Sequence, residues 1–256
     1  MAFSGVETPD GEPIAAIANY SLHYVGGAGL QISADYFGAF GEALQRIAGA
    51  EFVAIMANGC CGNINNIDFT KPRPSYSPYP DYKRDRVANA LAGEAWKVWS
   101  QLDGRQEDVT VGVASEFPRI RRRTGAEEEK RVVAGGQRAV EQMGPDKAEV
   151  YAEERGEVDK LPLELETQVQ ALRIGDMAMV GFPGEFFAEY GLAVKRESPF
   201  ARTMTIELAN DWIGYVPTDV GIDEGGYETW LARSAMVAKG VEGTVLSAVG
   251  ECLARV

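Results

Sequence analysis

Histidine is almost missing from this chain: His23 is the only one in 256 residues. Catalytic triads and zinc sites lean on imidazole more than on any other side chain, so a single copy of this sequence builds no His₂ or His₃ zinc set. Cysteine is scarce as well, limited to Cys60, Cys61 and Cys252. An odd count with two residues adjacent does not make a disulfide framework, and reduced thiols are expected. Basic side chains are outnumbered, 25 against 38 acidic ones, for a net charge of -13. That sign repels phosphate backbones and excludes nucleic acid as the expected partner. It also disfavours docking on anionic lipid by charge alone. No apolar run reaches the roughly 20 residues that span a bilayer, so no transmembrane segment is expected. Residues 1–10 carry neither a basic n-region nor an apolar h-region, and no signal peptide is expected. Walker and dinucleotide glycine motifs are absent.

What remains is ordinary for a soluble globular chain: 45% hydrophobic and 25% charged residues. Its pattern alternates strands with helices. Strands are expected over 14–18, 52–57, 109–117 and 204–208, with a hairpin of 163–174 and 177–182 turning at Gly175 and Asp176. Helices are expected over 36–47, 81–102, 186–196, 227–238 and 241–254. Arg119 to Arg123 read as a basic surface patch, and residues 127–157 as a solvated helical arm broken at Gly144 and Pro145. The class is α/β, a layered mixed β-sheet core flanked by helices. One domain over 1–256 is expected, with the charged helical insertion at about 119–160.

The polar residues with chemical potential sit at the C-terminal ends of expected strands, where open α/β sheets build their sites. These are His23, the Gly/Asn-rich loop 58–66 (NGCCGNINN), Glu185 and the segment leading to Tyr215. Each has a plainer explanation. A lone histidine is more often structural, a carboxylate opening a helix complements the helix dipole, and a loop tyrosine packs. Cys60 and Cys61 read as small buried side chains in a tight turn, with a thiolate nucleophile served by His23 as the rarer alternative.

Taken in order, residues 19–23, the Ser33 and Asp35 segment, loop 58–66, the triplet Pro183, Gly184, Glu185, and Tyr215 resemble the blocks of the neutral/alkaline ceramidase family, zinc-dependent amidases. The resemblance covers most of the chain except the charged arm. It is closest over 169–227, where it is similar to bacterial ceramidase-like members. It implies a ceramidase-like catalytic domain fragment acting on an amide or related bond, with a small-molecule or lipid amide as substrate. It implies zinc as cofactor, held by His23, Glu185 and Tyr215. It places Asn63 and Asn65 on the substrate side and Asp35 as an orienting group. Two departures go with it. The family's second zinc histidine has no counterpart here, and the simplest account is that Met1 is an internal start. Asn65 stands where the family's nucleophilic serine belongs. Asparagine cannot attack, but it can donate to an oxyanion. The alternatives are a non-catalytic or truncated remnant of the family and a cysteine-dependent enzyme. A sheet left bare by a missing piece would also expose apolar surface and favour self-association.

Overall fold

The computed structural model describes residues 1–26, 29–72, 78–102, 104–135 and 137–256, with side chains described outside 132–146. Gly27, which the sequence places in a glycine-rich loop, and half of the proline-rich irregular stretch expected over 71–80 lie outside these residues. The chain falls into two compact units, one of Met1–Gly59 and Ile64–Asp108, the other of Cys60–Asn63 and Val109–Val256.

The first unit is a three-stranded sheet with two helices. Strand β1 (Ala2–Glu7) pairs antiparallel with β2 (Pro13–Tyr20), which pairs parallel with β3 (Val53–Asn58). A parallel pair needs a crossover, and α1 (Asp35–Ala48) supplies it. Helix α2 (Tyr82–Trp99) packs on α1 through Ala88, Leu91, Ala92 and Ala95. Alternation along the strands selects the buried face: Ala16, Ala18 and Met56 join Tyr36, Phe40 and Leu44 of α1 in one core. Trp99 closes that core at one end, edge-on to both Phe3 and Phe52. β1 has no counterpart in the sequence reading, because its residues AFSGVE carry little periodic apolar signal.

The second unit begins with β4 (Val111–Glu116) and β5 (Arg119–Arg121), then α3 (Gly125–Gly135) and α4 (Gln137–Asp159). The backbone of α4 runs through Gly144 and Pro145 without the expected break. The expected first hairpin arm is two strands, β6 (Glu164–Glu166), which pairs with β5, and β7 (Val169–Ile174). β7 turns at Gly175 (φ +60) into β8 (Met177–Gly181). β9 (Glu185–Phe186) and α5 (Ala188–Glu197) lead to β10 (Arg202–Ile206). β11 (Tyr215–Val216), α6 (Asp219–Glu224) and α7 (Val241–Arg255) complete the unit. The main sheet runs β10-β8-β7-β4, with α7 against β4 and β7 and α5 against β10. Val169, Ala171, Ala178 and Val180 face Val245, Val249 and Cys252 across that layer. The mixed α/β class is as the sequence implies. Among the described residues no helix is long and apolar enough to cross a membrane.

Two local expectations are corrected. Residues 227–238 do not form a helix: only Tyr227–Thr229 is helical, as a single 3₁₀ turn. Arg123 takes the backbone carbonyls of Thr229, Ala235 and Val237, so that segment is held as an irregular loop around a guanidinium. The expected basic patch is therefore only partly a surface. Arg122 and Arg123 are 5% and 6% exposed, and Arg122 is spent on the carbonyls of Asp159, Leu161 and Pro162. Sequence shows charge but not the orphan carbonyls that absorb it.

Candidate functional site

In the first unit, the segment that carries His23 is fixed by side chains on both sides of it. The Leu22 N–H donates to Asn58 Oδ1 at 3.3 Å, and the Leu22 carbonyl accepts the buried Tyr36 hydroxyl at 2.9 Å. Beyond His23, the Tyr24 carbonyl accepts Asn66 Nδ2 at 2.9 Å. Asp35 takes three backbone donors, from Val25 at 2.9 Å, Gly26 at 2.8 Å and Tyr36 at 2.6 Å. Its φ of +48 is the left-handed conformation that aspartate tolerates through local hydrogen bonds. Asp35 thus ties the loop after His23 to the start of α1. His23 itself is half-buried and Asn65 is exposed.

In the second unit, β8 ends at Gly181, and the Phe182 N–H donates to the Ile206 carbonyl at 2.8 Å. The chain then turns at Pro183 and Gly184. Glu185 does not open a helix as expected from the sequence. It is the first residue of β9, its N–H donating to Gly214 at 2.9 Å. β9 and β11 run parallel with Glu185 opposite Tyr215, which brings these two expected site residues together. The Tyr215 and Tyr227 rings meet edge to face at 5.8 Å. Burial, then the hydrogen bond to Tyr227, then the charge of Glu185 push the Tyr215 phenol well above the tyrosine range. Burial also raises the Tyr227 phenol, with the charge of Glu228 adding to it.

Cys60–Asn63 belongs to this second unit. Its Gly62 N–H donates to the Phe186 carbonyl at 2.8 Å. A Cβ on Gly62 would lie 3.0 Å from the Glu185 carbonyl carbon and 3.1 Å from that of Phe186, so only glycine admits this approach. The Asn63 side chain accepts the Ala188 N–H at 2.8 Å and donates to Glu189 at 2.9 Å, holding the start of α5. All three cysteines are free thiols and buried. Burial foremost, with the charge of Glu207, pushes the Cys60 thiol up to about 12, the opposite of what a nucleophile needs.

Sequence reasoning missed Glu207, Tyr227 and the pairing of Cys61 with Glu207. Glu207 is 3% exposed and accepts both the Cys61 N–H (3.0 Å) and the Cys61 thiol (2.8 Å). The available signal was one acid closing the apolar strand TMTIE. Burial first, opposed by the Cys61 hydrogen bonds and aided by the charge of Glu185, pushes its carboxyl up to about 7 from 4.5. In that window the folded protein keeps a proton that the unfolded chain releases. The contribution is therefore fully present below about pH 4.5 and is lost as pH rises through about 7, by about 3 kcal/mol in all. Urea titrations from pH 5 to 8 are expected to show this loss in the wild type and a flatter profile in Glu207→Gln. Parallel profiles would remove Glu207 as the cause.

Zinc fits this donor chemistry in part. Glu185 offers a carboxylate and Tyr215 a phenol whose proton only a strong local cation would displace. Among the described residues no group of three or more His, Cys, Asp or Glu is placed to hold a metal ion.

No family model and no curated protein matches this chain. Solved structures match it in fold, two ceramidases among them. Neutral ceramidase from Pseudomonas aeruginosa superposes with a TM-score of 0.63 at 17% identity, covering 99% of this chain and 45% of that one. A ceramidase complexed with C2 gives 0.64 at 16% identity, covering 99% and 46%. The class is thus a ceramidase-like α/β fold, and the chain spans less than half the length of these neighbours.

Proposed function

We propose that this chain is a ceramidase-like, zinc-dependent hydrolase domain acting on an amide or related bond, including lipid amides. The observation that carries it is the Glu185–Tyr215 pair across β9 and β11, within a fold similar to neutral ceramidase. Glu185 and Tyr215 are its expected metal ligands in the second unit, and His23 its expected ligand in the first. Bound zinc would supply Lewis acidity toward the scissile carbonyl. The chain's own residues do the rest. Glu185 brings negative charge, and Tyr215 yields its phenolic proton only against a cation. Asp35 fixes the backbone beside His23, and Asn63 fixes the start of α5. Asn65, exposed at the serine position, offers a hydrogen-bond donor to an oxyanion in place of a nucleophile.

A second reading, a non-catalytic remnant, is favoured by the single histidine and by Asn65 at the position where the resemblance calls for a serine. Metal content by mass spectrometry separates the two. About one zinc per chain, lost in His23→Ala and in Glu185→Gln, is expected of the hydrolase domain. No zinc in the wild type after loading would leave the remnant.

A further inference from the structure

Glu207 follows the last residue of β10 and lies beyond the sheet ladder that β10 makes with β8. Its carboxylate collects donors from two other segments. Cys61 contributes its N–H and its thiol, and Phe186 contributes its backbone N–H. These two segments also bond each other, through the Gly62 N–H and the Phe186 carbonyl at 2.8 Å. Glu207, Cys61–Gly62 and Phe186 therefore form a closed ring of buried hydrogen bonds. Phe186 is the residue after Glu185, and the peptide between them fixes the backbone from which the Glu185 side chain departs. Holding that peptide in place narrows the positions the carboxylate can reach.

A merely space-filling role does not explain the residue type. Burying a carboxylate is costly unless it is hydrogen-bonded, and an apolar side chain would fill the volume without that cost. An apolar side chain would, however, leave the Cys61 and Phe186 donors without their acceptor. An acceptor-rich group is needed where donors of two segments converge.

We infer that Glu207 is a positioning residue, holding Cys60–Asn63 and the Glu185–Phe186 strand in the one arrangement that aims Glu185. This rests on the reading of Glu185 as a site residue. Outer groups that orient a ligating carboxylate are worth about tenfold to a hundredfold in metal affinity.

The test compares wild type with Glu207→Gln, which keeps the shape but sets an amide NH₂ against a donor. Amide hydrogen exchange is read at Cys61 and Phe186, and zinc affinity is read by competition with a chelator. Exchange at both amides is expected to rise at least about tenfold, while α7 stays protected. Zinc affinity is expected to fall about tenfold or more. Unchanged exchange at Phe186 overturns the inference. So does raised exchange with unchanged zinc affinity, since Glu207 would then be packing only. A wild type that binds no zinc defeats the metal reading of Glu185 instead, and exchange at Phe186 then decides alone whether Glu207 holds that strand. Should Glu207→Gln fail to fold, Cys61→Ser and Cys61→Ala give the same comparison. Only the alanine, which lacks a side-chain donor to Glu207, should raise exchange at Phe186, and equal exchange in both overturns the inference.

Discussion

Glu128→Ala is expected to destabilise the second unit by about 3–5 kcal/mol, the range for breaking a buried ion pair by removing one partner. Glu128 is 3% exposed and accepts Arg123 Nη1 at 2.7 Å, Arg131 Nε at 2.9 Å and Arg131 Nη2 at 2.7 Å. Burial works to raise its carboxyl, yet the Arg131 hydrogen bond and the charges of Arg123 and Arg131 hold it below the usual glutamate range. Burial brings the Arg123 guanidinium down to about 10, even with the charge of Glu128 supporting it. Without Glu128, that guanidinium would remain buried against carbonyls alone. A lowered carboxyl pKa stabilises the fold above the unfolded value and loses that effect as pH falls through the folded one. The difference between wild type and variant should therefore shrink in acid. Urea unfolding followed by circular dichroism checks both statements. A loss below about 1 kcal/mol would mean the carbonyl cage suffices for Arg123. The pair Arg123→Met with Glu128→Leu should recover much of the loss, because replacing both partners removes the buried charge instead of stranding it.

Gly62→Ala should have the second largest effect, on stability and site together. The new methyl group would meet the Glu185 carbonyl oxygen and the carbonyl carbons of Glu185 and Phe186, all of them backbone. Backbone cannot rotate aside as a side chain can. Either Cys60–Asn63 or β9 must shift, at about 1–3 kcal/mol or more for overpacking of this kind. The Gly62 to Phe186 hydrogen bond would be lost with the shift. Any zinc bound by wild type should be lost or much weakened, and Asn63 should release the start of α5. Thermal melting with metal analysis checks this. A variant with wild-type melting and zinc content would show that the close approach is not required. Gly250→Ala is the control, since a Cβ there meets nothing within 4 Å.

Much of the architecture was legible. Apolar runs over 14–18, 52–57 and 177–182 and the periodic helices fall where β2, β3, β8, α1, α2 and α7 lie. Such elements bury a face, and burial imposes a period of 2 or 3.6 on the sequence. The failures have two causes. β9 and β11 are two-residue strands with no room for a period. Residues 227–238 have a helix-like composition, but tertiary hydrogen bonds to Arg123 hold them in another shape.

The sequence by itself determined the α/β class, the acidic character and the order of the motif residues His23, Asp35, Asn63, Asn65, Glu185 and Tyr215. These are local or additive properties, readable from composition and short-range spacing. Only the tertiary structure decided that Glu185 sits opposite Tyr215, that Cys60–Asn63 joins the second unit, and that Glu207 gathers donors from Cys61 and Phe186. Those facts depend on which distant backbone donor finds which acceptor once water is excluded. Hydrogen-bond satisfaction in a buried site is a property of the assembled chain, and no single segment carries it.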